Sequence, residues 1–189
     1  MTQAYPHVNN YGYLWIRLAT QEDVEQIIQV QLKSLQVIAA RDYSSHELNA
    51  LLQSKQSPRS RFELIYVAEL GEQIVGFAAL DKVTNHLAGL FVDPEYTRMG
   101  IGTKLLQTIE NEAQRSGIKV LWICSSLTGH AFYLANNYQE MNDFNISVDG
   151  VAIPCIRLRK VFPASSKVDV RGLVSMIILI AIAFFLVLK

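Results

Sequence analysis

Two glycines, Gly100 and Gly102, stand between an apolar strand pattern and a helical one. The residues from 88 to 92 are apolar, and Asp93-Pro94 ends the pattern because proline has no N–H to donate to a strand ladder. A glycine-bearing turn before a helix leaves backbone N–H groups unshielded, and the helix N-terminus adds a partial positive charge. The pattern predicts a site for the phosphates of a cofactor, although an ordinary surface turn would also use two glycines.

Tyr133 lies in a second candidate segment, a short helical pattern from 129 to 135 that ends at Asn136-Asn137. A phenol has an ordinary pKa of about 10, so it can protonate a departing thiolate, whose thiol has a pKa of about 8.5. From the residue alone, a half-buried core tyrosine is the commoner interpretation. Tyr133 is therefore a candidate general acid only in combination with a cofactor turn.

The composition argues against several classes of function. The 189 residues include 17 basic and 17 acidic side chains, so no basic surface is concentrated for nucleic acid. The two cysteines, Cys124 and Cys155, lie in apolar runs typical of reduced core thiols, and no Cys/His cluster has metal-ligand spacing. The first eleven residues are polar, so we expect no signal peptide. We expect neither a metal nor a nucleic-acid partner.

The hydrophobic patterns predict elements in the order β, α, α, β, β, β, α, β, α, β, β. Thr20 with Asp23, and Ser44 with Glu47, have the spacing of capping boxes and predict the first two helices. The third helix follows Gly102 and the fourth covers 129–135. Strands are predicted at 13–18, 64–68, 74–80, 86–92, 118–124, 138–147 and 152–158.

The run from Phe91 to Tyr96, followed by the run from Gly100 to Leu106, resembles the acetyl-CoA-binding segment of the GNAT family of N-acetyltransferases. The family pattern is Gln or Arg, two residues, Gly, one residue, then Gly or Ala. The resemblance extends over 13–160 because the element order matches the GNAT fold, an α/β fold with a mixed, mostly antiparallel sheet flanked by helices. It implies acetyl-CoA as co-substrate. The residues implied to contact it are Leu90, Phe91, Val92, Arg98, Met99, Gly100, Ile101, Gly102, Thr103 and Ser126.

Two positions depart from the family pattern. Thr97 stands where the family has a long Gln or Arg, with Arg98 beside it. The Gly-Phe that follows the family's tyrosine helix is Asn137-Tyr138 here, and asparagine is the best non-glycine residue for a left-handed helix end. The resemblance implies that Tyr133 is the general acid.

A base is also needed, because an acceptor amine arrives protonated. His86 is the first candidate, since it begins the strand that leads to the cofactor turn, and Glu69, Asp81 and Glu95 stand behind it. Each of these residues is also explained as a surface or hydrogen-bonded side chain.

Such folds build the acceptor pocket from the first two helices and the last hairpin, here about 35–52 and 142–151. Tyr43, Asp42 and His46 are candidate lining residues, although Asp and His near a helix start also serve as caps. The sequence does not identify the acceptor.

The residues from 172 to 188 form a run of seventeen without a charge. As a helix this run would span about 26 Å, enough to cross a thin hydrocarbon core. Alternatives are a buried helix and a helix that joins two copies in a homodimer. We predict a catalytic domain at 1–162, a linker at 163–171 and a transmembrane helix at 172–188.

The charges that flank this run predict its orientation. Five basic residues precede the run, and only Lys189 follows it. By the positive-inside rule, we expect a single-pass, tail-anchored membrane protein whose catalytic domain is cytoplasmic. The preceding basic residues are Arg157, Arg159, Lys160, Lys167 and Arg171.

The sequence therefore predicts a membrane-tethered N-acetyltransferase that transfers acetyl from acetyl-CoA to a primary amine of a small molecule or a protein. The alternative is a membrane-bound acyl-CoA-binding or regulatory module that has lost turnover. Thr97, Asn137 and the uncertain base would explain that alternative.

Overall fold

Within the residues that it describes, 3–5, 13–54 and 63–163, the computed structural model has eight strands and four α-helices. Each predicted element is present, with ends shifted by a few residues. The strands are β1 (Gln3–Tyr5), β2 (Leu14–Leu18), β3 (Glu63–Leu70), β4 (Gln73–Asp81), β5 (His86–Val92), β6 (Val120–Ser125), β7 (Gln139–Val148) and β8 (Val151–Val161). The helices are α1 (Val24–Val37), α2 (Ser45–Ser54), α3 (Ile101–Arg115) and α4 (Leu127–Ala135).

The strands form one mixed sheet in the order β1-β2-β3-β4-β5-β6-β8-β7. Neighbouring strands are antiparallel except β5 and β6, which run parallel and are connected through α3. β8 lies between β6 and β7, and the β7–β8 hairpin turns at Asp149-Gly150, where φ is 49° and 82°. The prediction of a mixed, mostly antiparallel sheet is confirmed.

Helices cover both faces of the sheet. On one face, α3 and α4 enclose the main hydrophobic core. On the other face, α1 packs on β4 and β5, and α2 packs on β7 and β8. The face of β6 on that side therefore lies between two helices. The main core includes Leu105, Leu106, Ile109, Leu121, Ile123, Tyr133 and Leu158, all almost fully buried.

Capping residues fix where α1 and α2 begin. Asp23 accepts a hydrogen bond of 2.7 Å from the Thr20 N–H, and the guanidinium of Arg17 contacts both its carboxylate oxygens at 2.7 and 2.8 Å. Because Arg17 belongs to β2, this ion pair ties the start of α1 to the sheet. The Ser44 N–H donates to Glu47 at 2.7 Å, and the Glu47 N–H donates back to Ser44 Oγ at 3.3 Å. Both predicted capping boxes are confirmed.

The structure adds one strand, β1, which pairs with β2 although its short sequence has no strand pattern.

The structure also changes the argument from the basic residues that precede the apolar run. Arg157, Arg159 and Lys160 are side chains of β8, and Lys160 Nζ lies 2.8 Å from Glu110 Oε2 of α3. These three residues belong to the folded sheet, so they are not free charges beside the apolar run.

The predicted transmembrane segment at 172–188 lies outside the described residues. Of the helices in the described part of the chain, none is both long and apolar enough to cross a bilayer.

Candidate active site

The turn between β5 and α3 presents a series of backbone amides. Gly100 has a φ of 79° and is the N-cap of α3. The first bond of the helix runs from the Lys104 N–H to the Gly100 C=O at 3.1 Å, so the amides of 101–103 precede the helical ladder. A Cβ built on Gly100 would meet no described atom within 4 Å, so this side of the turn is open. Such an arrangement fits a diphosphate.

The side chains of this turn differ in their surroundings. Ile101 is buried in the main core, and Met99 packs against the same core, so Ile101 can offer a ligand only its backbone. Thr97 Oγ1 donates to the Pro94 C=O at 2.9 Å. Arg98 is exposed and has a φ of 64°, in the left-handed region that glycine favours. Its charge therefore lies toward solvent at the start of the turn.

Asp93 fixes the exit of β5. Its carboxylate is buried, accepts a hydrogen bond of 3.0 Å from the Glu95 N–H, and lies 3.0 Å from Lys33 Nζ of α1. The same ammonium group lies 2.9 Å from Glu95 Oε1. These contacts hold the cofactor turn against α1, and they engage Glu95, one of the candidate bases.

A gap opens between the parallel strands β5 and β6. The two strands pair at His86 with Trp122 and at Leu87 with Ile123, and no further pair is found along their described length. The register between β4 and β5 also shifts at this level, where Ala79 is opposite Gly89 and Leu80 is opposite Leu87. An irregularity of this kind bends a strand, and the β5–β6 pairing ends just beyond it. The strands therefore diverge toward the glycine turn.

Backbone groups of β5 line this gap. The Asp93 N–H donates to the Val75 C=O at 2.9 Å, and hydrogen-bonded pairs alternate along antiparallel strands. The amide of Phe91 therefore faces β4, whereas those of Leu90 and Val92 face the gap. The Phe91 ring lies on the α1 face, where it stacks on Phe77 at 5.3 Å. Leu90 and Val92 thus expose the strand amides that an extended ligand could pair with.

Tyr133 lies on α4, beside α3, the helix that follows the glycine turn. Its ring is in the main core, with 7% of the residue exposed, and is 5.6 Å from the Tyr138 ring in an edge contact. Burial raises the pKa of the Tyr133 phenol above its ordinary range, so the group is protonated at neutral pH. A Cβ on Gly102 would lie 3.6 Å from the Phe132 ring, so α3 and α4 approach closely here. Asn137 has a φ of 65°, which confirms the predicted left-handed helix end.

Two side chains close the first turn of α4. Ser126 Oγ accepts from the Gly129 N–H at 3.2 Å, so this residue, predicted to contact the cofactor, is the helix cap. Asp42 accepts from the Thr128 N–H and hydroxyl, both at 2.7 Å. Asp42 was a candidate for the acceptor pocket or for a cap, and here it caps a helix far along the chain. Sequence spacing gave no signal for that partner.

His86 begins β5, opposite Asp81 of β4 and beside Trp122 of β6. Its Nδ1 lies 2.8 Å from the Thr84 C=O. Because a carbonyl oxygen only accepts, Nδ1 carries the proton and Nε2 of the neutral ring keeps a lone pair. His86 lies at the closed end of the gap, about 20 Å along the strand from Val92.

The other acidic candidates are engaged in structural contacts. Glu69 accepts a hydrogen bond from Arg17 Nε. Asp81 accepts from the N–H groups of Val83 and Thr84 within the β4–β5 turn, and the hydrogen bonds from Thr84 lower the pKa of Asp81. Of the four candidate bases, we therefore favour His86, because Nε2 of its ring can accept a proton.

Tyr43 lies in the connection between α1 and α2. It packs on the cluster of Leu35, Leu51 and Ile153, and burial raises the pKa of its phenol to about 12. His46 is exposed on α2. In the described part of the chain, no group of three or more His, Cys, Asp or Glu side chains is arranged to hold a metal ion.

Comparison with known proteins decides the family. The model of the acetyltransferase (GNAT) family matches residues 27–138, which contain the gap, the glycine turn and Tyr133. The chain belongs to the GNAT family. Being a GNAT protein, it is an acetyltransferase, as the resemblance in the sequence implied. The resemblance seen in the sequence is confirmed over residues 27–138.

Several GNAT proteins are similar to this chain. The uncharacterized N-acetyltransferase YafP of Escherichia coli K12 is 26% identical over 132 residues, which are 68% of this chain and 83% of YafP. A GCN5-related N-acetyltransferase structure from Rhodopseudomonas palustris has a TM-score of 0.73 at 24% identity, covering 78% of this chain and 94% of the other. The PaiA N-acetyltransferase of Thermoplasma acidophilum, solved with coenzyme A, has a TM-score of 0.58 at 23% identity, covering 79% and 99%. The two structures show the shared fold.

Proposed function

We propose that this protein transfers the acetyl group of acetyl-CoA to a primary amine at the cytoplasmic face of a membrane. The observation that carries the proposal is the gap between β5 and β6, with the glycine-turn amides at its open end. The turn is suited to a diphosphate, and the gap is suited to the extended pantetheine arm that follows it.

The amides of Leu90 and Val92 support this path because they face the gap from one side. A pantetheine arm has amide groups of its own, so it can pair with β5 as an added strand. The gap narrows toward Leu87 and Ile123, where β5 and β6 begin to pair. The thioester would then lie between the turn and this closed end.

The transfer needs three chemical events at that position. The amine loses a proton, for which His86 Nε2 is the proposed acceptor, directly or through a water molecule, since the residue is at the closed end of the gap. The amine nitrogen then attacks the thioester carbon, and the oxyanion is held by strand amides. The C–S bond breaks, and the coenzyme A thiolate takes a proton from the Tyr133 hydroxyl. The attacking nitrogen loses its second proton as the amide forms, and that proton restores the phenol through solvent.

Release of coenzyme A thiol, measured with a panel of primary amines, tests the proposal. We expect amine-dependent release by the wild-type protein and a loss of about a hundredfold in Tyr133→Phe. Tyr13→Phe is the matched control, because Tyr13 is 65% exposed. His86→Gln should lower the rate with little change in acetyl-CoA affinity. Failure of the wild-type protein to bind acetyl-CoA would end the proposal.

A second candidate is a module that binds acyl-CoA without turnover. The deep burial of the Tyr133 ring favours it, because a phenol held within the core is less accessible to a thioester. Acetyl-CoA binding without transfer to any amine, and without slow hydrolysis, would support this candidate.

The membrane part of the proposal rests on sequence. The uncharged run at 172–188 is long enough to cross a thin bilayer, and Lys167 and Arg171 precede it. A tail anchor would raise the local concentration of the enzyme near membrane-associated amines, without changing the reaction.

A further inference from the structure

Arg157 and Arg159 lie side by side on β8, on the sheet face that α1 and α2 partly cover. Arg157 is opposite Cys124 of β6, and Arg159 is opposite Trp122. Residues directly opposite in a sheet project from the same face, so both guanidinium groups share a face with Trp122. His86 joins the same row because it is beside Trp122 in the parallel pair.

Aromatic rings support the two guanidinium groups. Cζ of Arg157 lies 5.5 Å from the centre of the Trp122 ring and 4.7 Å from that of Phe144. Cζ of Arg159 lies 5.9 Å from the same Trp122 ring. Two like charges therefore approach one indole, at positions about 7 Å apart along the strand. Cation–π contacts stabilise each charge, but an aromatic ring offers no oxygen acceptor to the guanidinium N–H groups.

No described carboxylate neutralises this pair. Nε of both arginines is buried and has no hydrogen-bond partner within the described part of the chain. Asp81, which is opposite His86, binds the β4–β5 turn, and Asp42 binds the first turn of α4. Buried donors without partners are rare in native proteins, and the oxygen atoms of a bound anion would supply the acceptors.

The location of the pair relates it to the transfer reaction. The Cys124–Arg157 pair lies one step beyond Ile123, the last residue of β6 that pairs with β5. Adjacent strands are about 4.8 Å apart, so the Arg157 side chain can reach the closed end of the gap. The opposite face is filled by the core beneath α3 and α4, which leaves the arginine face for the acceptor.

We propose that the acceptor is a small amine that also carries an anionic group, a carboxylate or a phosphate, and that Arg157 and Arg159 bind this anion. The inference rests on the proposed acetyl transfer. Guanidinium groups bind both kinds of oxyanion through paired N–H bonds, and they repel acceptors with extra positive charge. The bound anion directs the amine toward the thioester and His86.

Matched pairs of amines test the inference. The pairs are glycine with glycinamide, L-lysine with L-lysinamide, and O-phosphoethanolamine with ethanolamine; spermidine represents polycations, and a lysine peptide without acidic residues represents protein amines. We expect kcat/KM, corrected for the fraction of unprotonated amine, to favour the anionic member by about tenfold to a hundredfold. Whether the amino acids or the phosphate ester is preferred distinguishes the two anions. Equal or better use of the neutral amines, spermidine or the peptide would overturn the inference.

Variants test whether Arg157 and Arg159 cause the preference for anionic amines. Arg157→Gln and Arg159→Gln should each abolish most of it, and Arg157→Lys should restore part. Arg115→Gln is the matched control, because Arg115 is an exposed arginine at the end of α3. Thermal unfolding and acetyl-CoA affinity show whether each variant is folded. A folded Arg157→Gln/Arg159→Gln protein with an unchanged preference would also overturn the inference.

A binding measurement separates this inference from the transfer reaction. If the protein binds acetyl-CoA but acetylates no amine, the proposed function fails, and calorimetry with coenzyme A bound then judges the anion site. Binding of an anionic amine, but not its neutral partner, that is lost in Arg157→Gln supports the site. No binding by any anionic member overturns it.

Discussion

The burial of Tyr133 sets the protonation state in which its phenol would meet a thioester. Burial raises the pKa of this phenol, and an acid is protonated below its pKa, so the proton stays in place across the neutral and mildly alkaline range. The same burial makes complete proton transfer to a thiolate less favourable than for a solvated phenol. The residue would act first as a hydrogen-bond donor to the departing sulfur.

The pH profile of the reaction follows from this shift. We expect kcat/KM to rise with pH as the amine loses its proton, with no alkaline decline below about pH 9.5, because the raised phenol pKa keeps Tyr133 protonated. Steady-state kinetics between pH 6 and 9.5 measure it. A decline between pH 8 and 9 that disappears in Tyr133→Phe would contradict the expectation.

At the scale of single elements, the glycine turn combines a backbone requirement with an open surface. Gly100 has a φ of 79°, whereas Gly102 lies in the first turn of α3. A Cβ on Gly102 would make ordinary contacts of 3.6 Å with Phe132 and 3.7 Å with Leu90. The backbone conformation therefore requires glycine at position 100, whereas position 102 can hold a small side chain.

Alanine substitution separates them. Gly100→Ala should weaken acetyl-CoA binding about tenfold or more and lower the free energy of unfolding by about 1–2 kcal/mol, because alanine is strained at this φ. Gly102→Ala should bind within about threefold of wild type and unfold at the same or a higher temperature. Calorimetry and thermal unfolding measure both effects. The reverse ranking would show that the turn does not carry the ligand.

The ion pair between β2 and the start of α1 makes stability depend on pH. Arg17 lowers the pKa of Asp23 through its side-chain hydrogen bonds. A depressed folded pKa gives stability that is complete above the unfolded value, about 3.9, and lost as pH falls through the folded value. Asp23 therefore contributes to folding at neutral pH and less in acid.

Removing the Asp23 carboxylate should lower the free energy of unfolding only at pH values at which the carboxylate is ionised. We expect Asp23→Asn to lower the free energy of unfolding by about 2–4 kcal/mol at pH 7, with the difference from wild type shrinking below about pH 4. Denaturant unfolding at several pH values measures it. Asp143→Asn, at an exposed position, should leave stability unchanged. An equal loss at pH 3 and pH 7 would refute the linkage.

Local patterns predicted the elements well and their partners poorly. The capping boxes at Thr20 and Ser44 and the left-handed Asn137 follow from short-range chemistry, so the sequence indicates them directly. The divergence of β5 from β6 cannot be predicted in this way. The alternation of side chains along a strand does not show which neighbouring strand it separates from. Asp42 likewise reaches Thr128 through tertiary folding.

In the candidate site, too, the local features could be predicted from the sequence and the tertiary neighbours could not. The glycine turn follows from the spacing of its residues, and the role of Tyr133 follows from the resemblance to the GNAT family. In the sequence, Arg157 and Arg159 count among the basic residues that precede the tail, because the sequence shows their charge and not their position on the sheet. Only the register with Trp122 shows that they share a face with His86.

At the scale of the whole molecule, the apolar run at 172–188 gives a prediction that needs the full chain. We expect wild-type protein to sediment with membranes and to be released by detergent but not by alkaline carbonate. Ile178→Lys with Ile182→Lys should move it to the supernatant, because each central lysine opposes insertion by about 2.5–3.5 kcal/mol. Ser165→Lys with Ser166→Lys, in the linker, is the control. Wild-type protein that stays in the supernatant would refute the anchor.

The divergence of β5 and β6 leaves the middle of the sheet unfinished until another molecule completes it. The amides of Leu90 and Val92 should exchange with deuterated solvent quickly in the empty protein and slowly once coenzyme A fills the space. Any ligand that binds only the native state also shifts the folding equilibrium by mass action. We therefore expect resistance to proteolysis, and with it the lifetime of the protein in the cell, to follow the supply of its own co-substrate.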